Sequence, residues 1–284
     1  MNRVKINAVW DRSTEFISDH LALIFPITLM GILVPAVLQD ASGTLSAGAE
    51  PGLLLALRAI GLVLSIISLS AQLAIIAAAV SPELTTGQAL RRGQSRLLVA
   101  LGLSALVVVG FVLALLPPVL VLASTGVDFA VLAAASAAGQ AAALTKVSSG
   151  VAVFVICYGL GLAVLLVWFA ARSVLLSPVV VAENRGLASF ARSFALTRGL
   201  TWRIIGLLIL FTVVSTVAGL AAKTVFGSVF RLALGGESAF SLSSLLTSTI
   251  VGTVAAGFTV LGAVVTAKLY VAARDAAQEA SGIA

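Results

Sequence analysis

The sequence predicts an all-α, polytopic membrane protein, and three observations carry that prediction. Of its 284 residues, 60% are hydrophobic and 10% are charged. A soluble domain of this size carries about 25% charged residues, so 17 Lys and Arg with 11 Asp and Glu cannot cover a water-facing surface. Apolar runs near 20 residues, the length at which a helix crosses a hydrocarbon core of about 30 Å, recur along the chain. Soluble enzymes, nucleic-acid-binding modules and disordered chains are excluded, and no nucleic-acid partner is expected. The whole chain reads as a single membrane domain.

Residues 1–19 come first. Ile6, Val9, Trp10, Phe16 and Ile17 recur on one helical face, and Lys5, Asn7, Asp11, Arg12, Glu15 and Asp19 fill the other. That spacing predicts an amphipathic helix lying in the membrane plane, with a disordered tail as the alternative. The first span is Leu21–Leu38. Its apolar stretch exceeds that of a signal peptide, and acidic residues precede it. Pro26 and Pro35 predict kinks there. The others are Ala59–Val80, Leu97–Ala123, Val151–Ala171, Ile204–Ala222 and Leu246–Tyr270, none alternating with the period of a barrel strand. Between the third and fourth, Asp128–Leu144 is Ala-rich and too weakly hydrophobic for a crossing, so it reads as an outer-surface helix.

Orientation follows from the basic residues. One side holds Arg3, Lys5, Arg12, Arg91, Arg92, Arg96, Arg172, Arg185, Arg192, Arg198, Arg203, Lys268 and Arg274, thirteen of the seventeen. The other holds Arg58, Lys146, Lys223 and Arg231. Both termini are therefore expected in the cytoplasm of a bacterial inner membrane. Arg58 and Lys268, near span ends, are expected to snorkel.

Two segments share a text: Ala89-Leu90-Arg91-Arg92-Gly93 before the third span and Ala195-Leu196-Thr197-Arg198-Gly199 before the fifth. Each follows a Ser-Pro pair, Ser81-Pro82 or Ser177-Pro178. The layout suggests a threefold repeat, each unit an in-plane helix ended by glycine and followed by a two-span hairpin.

The stretch from Ala171 to Leu210 resembles the membrane domain fused to some bacterial glycerophosphodiester phosphodiesterases, and the stand-alone inner-membrane proteins of that type. The matching positions are Arg172, Pro178, Glu183, Gly186, Arg192, Ser193, Leu196, Thr197, Arg198, Gly199, Trp202 and Arg203. Phe194 stands where members commonly carry Trp. The match covers about forty residues, and elsewhere rests on hydropathy and span number. It implies a membrane domain without the hydrolase, because the spans and loops use the whole chain.

Chemistry is sparse. One histidine, His20, and one cysteine, Cys157, leave no metal site of the usual type, and no cofactor motif occurs. Cys157 reads as a small buried side chain. Gln72 is the one amide well inside a span and reads as an interhelical hydrogen bond. The small residues Ser215 and Gly219, Gly252 and Ala256, and Gly159, Gly161 and Ala163 suggest close packing, within the bundle or between copies. The remaining candidate is the Arg-rich loop 172–203, with Arg172, Glu183, Arg192, Arg198, Trp202 and Arg203. A helix is expected from about Leu187 to Thr197. Leu187, Phe190 and Phe194 should rest on the bundle or lipid, and Ser189, Arg192 and Ser193 should point away. Arg192 and Arg198 should face phosphates, and Glu183 should pair with an arginine. The expected function is non-catalytic: organising the membrane, or holding anionic lipid headgroups on a basic cytoplasmic face. The alternatives are partner docking and a transporter or permease subunit.

Overall fold

The computed structural model describes residues 6–46, 49–127, 129, 148–184, 186–235 and 241–282. Arg3, Lys5, Lys146, Arg185 and, apart from Phe129, the stretch Asp128–Leu144 lie outside them. The described residues are helical and contain no strand. Their elements are α1 (Ile6–Asp19), α2 (Leu21–Thr28), a π-helical turn (Leu29–Leu33), α3 (Val34–Ser46), α4 (Pro51–Val80), α5 (Thr86–Ser124), α6 (Ser149–Ser173), α7 (Leu176–Glu183), α8 (Ala188–Leu196), α9 (Thr201–Leu234) and α10 (Leu242–Ser281). Six helical stretches are long and apolar enough to cross a membrane, one for each expected span. Leu98, Val164 and Leu232 are among many large apolar side chains left exposed along them. Water penalises such a surface and hydrocarbon does not. The chain is a multi-pass integral membrane protein. Its helices are longer than the apolar runs: α9, with 34 residues, measures about 51 Å.

The chain divides into two compact units. Leu101–Ala171 forms one, holding the later part of α5 and most of α6. Pro118 has no N–H, so it cannot donate to Ala114 four residues earlier in α5. The Tyr158 hydroxyl from α6 donates to that carbonyl at 2.7 Å. Gly159 and Gly161 face open space, and Cys157 is exposed rather than buried. The face of α6 bearing it presents its small side chains outward.

The other unit contains the rest. Its core is the second half of α4, where Leu73 to Ala79 are at most 4% exposed, against Val179–Val181 of α7 and Val264, Ala267 and Tyr270 of α10. Between Pro26 and Pro35 the first span forms a π-helical turn, the Val34 N–H donating to Leu29 five residues back. Shifting the bonding by one residue absorbs the donors that prolines remove. Glycines then set the helix crossings. A Cβ on Gly31 would collide with Cβ of Ala71, and one on Gly252 would stand 3.1 Å from Leu33 Cδ1. Ala256 is likewise buried.

Gly93 corrects an expectation. It does not end a helix, because Ala89–Arg96 is continuous with the following span inside α5. Its missing side chain instead admits α4, with Ala74 N 2.7 Å from an ideal Cβ. Gly199, at φ +85, does lie in the turn between α8 and α9 as its text predicts. The repeat therefore shares sequence at these two places but not local structure.

Candidate functional site

Short helices and helix ends of the larger unit meet at one end of its bundle. The apolar side of α1, with Val9, Ser13 and Phe16 buried, packs against α10. Ser13 can be buried because its hydroxyl donates to the Val9 carbonyl at 2.7 Å. His20 stacks on Phe16, ring centroids 4.3 Å apart.

Lys268 does not snorkel to water. Its Nζ donates to the Ala79 carbonyl at the end of α4, 3.0 Å away, and lies 4.4 Å from the centre of the Phe16 ring. The last carbonyls of a helix have no internal donors and carry the negative end of its dipole. A half-buried ammonium finds a partner there and a second on the ring face. One side chain thus fastens α10 to α4 and α1.

Tyr270, two residues on, is 1% exposed, and its hydroxyl donates to Glu183 Oε1 at 3.0 Å. Arg192 Nε donates to the same oxygen at 3.1 Å. The Glu–Arg pair expected from the loop therefore forms, across α7 and α8, with α10 as a third member. Glu183 reaches it because Asn184 closes α7 in the left-handed conformation at φ 50. That conformation suits a short amide side chain. Arg172 and Ser193 make a second, reciprocal link. The Arg172 guanidinium donates to the Phe194 carbonyl at 3.0 Å, and the Ser193 hydroxyl to the Arg172 carbonyl at 2.7 Å. Each caps the end of the other's helix.

Helix α8 occupies nearly the span expected, but it presents the opposite face. Ser189, Ser193, Leu196 and Thr197 are buried, Leu187 is 70% exposed, and Phe190 and Phe194 lie at the margin. Serine side chains let the backbone approach closely, and the Ser193 hydroxyl finds its acceptor there; bulky phenylalanines would hold the helix off. Arg192 is correspondingly not an open phosphate ligand: its side chain is 31% exposed and engaged with Glu183.

The six sequence candidates separate into two groups. Arg172, Glu183 and Arg192 hold α6, α7, α8 and α10 together. Arg198, Trp202 and Arg203 are exposed on the turn that starts α9, Trp202 at 85%. Sequence reasoning passed over Tyr270 and assigned Lys268 to water. A signal existed in each: a tyrosine in an apolar helix needs a hydrogen-bond acceptor, and a lysine there needs a counter-dipole.

A groove of about 610 Å³ runs between α9 and α10, with Gln72 and Ile76 of α4 and Trp10 of α1 also on its wall. Leu207, Phe211, Val254 and Phe258 are among its apolar lining, and Phe211 meets Phe258 edge-on at 5.6 Å. Ser215 and Gly219 line it rather than packing against a helix. Among the described residues Gln72 makes no interhelical hydrogen bond, and it lines this groove. A smaller recess lined by Ile6, Val9, Trp10, Leu200 and Ile204 adjoins it beneath α1.

No family model, no curated protein and no solved structure matches the chain.

Proposed function

We propose that this membrane protein holds anionic lipid headgroups at its basic end and catalyses no reaction of its own. On this reading it lies in a bacterial inner membrane with both termini in the cytoplasm, and its Ala171–Leu210 stretch marks a membrane domain resembling those fused to the phosphodiesterases. The supporting observation is the exposed trio Arg198, Trp202 and Arg203 at the start of an apolar 34-residue helix. Tryptophan favours the headgroup level, and arginine presents a planar fork to phosphate. The transporter reading would gain from a polar cavity, whereas most of the groove's lining residues are apolar and none is charged.

The test is retention of anionic against zwitterionic phospholipid by detergent-purified protein, read by native mass spectrometry. Each surface cation adds about 1 kcal/mol, so the double variant Arg198→Gln/Arg203→Gln should lose roughly thirtyfold in anionic preference. Arg192→Lys should change it little, since Arg192 serves Glu183. Equal preference in wild type and double variant would remove the site. Orientation has its own readout. Reporters fused at Glu83 and Ala284 should read cytoplasmic, and one at Ala47 periplasmic. A periplasmic Ala284 would make the number of crossings odd.

A further inference from the structure

We infer that the α9–α10 groove is the seat of one acyl chain of such a lipid, its anionic headgroup held at the α8–α9 turn. The inference rests on the reading of the basic end as an anionic-lipid site and adds where the tail goes.

The groove's dimensions come first. Along α10 its lining runs from Val251 to Leu269, eighteen residues apart or about 27 Å of helix, close to the thickness of a hydrocarbon core. On α9, Arg203 lies one turn before the lining residue Leu207, and Lys223 one turn after Gly219. Those two exposed cations are twenty residues apart, about 30 Å along the axis. Cations therefore flank both ends of an apolar trough that is one hydrocarbon core long. Arg203 and the recess beneath α1 stand at the end where the Arg198–Trp202–Arg203 turn lies.

Its chemistry comes second. The groove could in principle carry a headgroup along its length or hold a tail. A phosphate needs donors. Of the groove's five hydroxyls, those of Ser215, Thr259 and Thr266 already donate within their own helices, to Thr212, Ala255 and Ala263, and those of Ser177 and Thr216 are the other two on the wall. The wall carries no charged side chain and most of its residues are apolar, among them Leu207, Leu208, Phe211, Val254 and Phe258, a surface that suits methylenes and opposes a phosphate. Gln72 is the one amide in it, and its reach is short of the turn. It stands eight residues, about 12 Å, before the end of α4. Charge complementarity at the mouth and an apolar trough behind it define an amphiphile with an anionic head and an alkyl tail.

The test fills the groove without touching the basic end. Ser215→Trp places an indole in the trough, and Val213→Trp places the same indole on the opposite, exposed side of α9. Displacing two methylenes' worth of contact costs roughly tenfold in retention, at about 0.8 kcal/mol each. Ser215→Trp should therefore retain about tenfold less phosphatidylglycerol than wild type, and Val213→Trp the same as wild type. Gln72→Leu should retain as much or more. Full retention by Ser215→Trp, with anionic preference intact, would overturn the tail site while leaving the headgroup site standing. Loss on Gln72→Leu would overturn a plain alkyl occupant. A melting curve for each variant identifies any loss that comes from unfolding, and Thr216→Trp, on an exposed lining position, then replaces Ser215→Trp.

Discussion

Adding a single methyl at Gly93 is expected to cost about 3 kcal/mol of stability, read as a lower midpoint in denaturing-detergent titration of the micellar protein. The new Cβ would lie 2.7 Å from Ala74 N and 3.0 Å from both Ala74 Cα and Ser70 O. All three atoms belong to the backbone of α4, so no side chain can swing aside. The two helices must separate where α4 is most deeply buried. Gly102, nine residues further along α5, has nothing within 4 Å of its ideal Cβ. Gly102→Ala should therefore be neutral or stabilising by up to about 1 kcal/mol, since only the intrinsic helix preference changes. Equal effects at the two positions would show that α4 and α5 do not meet at Gly93.

Glu183→Ala should be nearly as damaging, by about 2 kcal/mol, because it removes one acceptor from two donors on different helices. Tyr270 is fully buried and loses its hydroxyl partner; Arg192, at 31% exposure, recovers part of its loss from solvent. Glu183→Gln keeps an oxygen for Tyr270 and gives up the charge, so it should fall between wild type and Glu183→Ala. Tyr270→Phe should cost about 1 kcal/mol. In the Glu183→Ala background the same tyrosine change should cost little, and the two penalties should fall well short of adding. Full additivity in thermal or denaturant midpoints would mean that the hydrogen bond contributes nothing.

The spans were legible because length and apolar content dictate them, and every apolar run corresponds to a long helix. The Glu183–Arg192 pair was legible because a lone acid among arginines seeks one. The buried face of α8 was not. Hydrophobic periodicity assigns Phe190 and Phe194 inward, whereas close helix approach favours the small Ser189 and Ser193, and the Ser193 hydroxyl is satisfied by the Arg172 carbonyl. Gly93 was misread because glycine serves both as a helix stop and as a contact point, and local text does not separate the two. Lys268 was read as reaching for water, since nothing in its own neighbourhood announces that the end of α4 arrives beside it. Contacts between residues almost two hundred positions apart leave no local trace.

That last separation bears on how the chain is assembled during synthesis. Helix α10 follows all the others, yet it supplies Lys268 to Ala79, Tyr270 to Glu183, and Ser248 to Asp40 of α3. Until it leaves the ribosome, the carbonyl at the end of α4 and the Glu183 carboxylate lack those partners, and Gly252 is absent from its place against Leu33 and Val37. The early hairpins can insert one by one, but the larger unit closes only when α10 arrives. A chain stalled before α10 would sit in the membrane fully inserted and unlocked, a substrate for the proteases that clear incomplete membrane proteins.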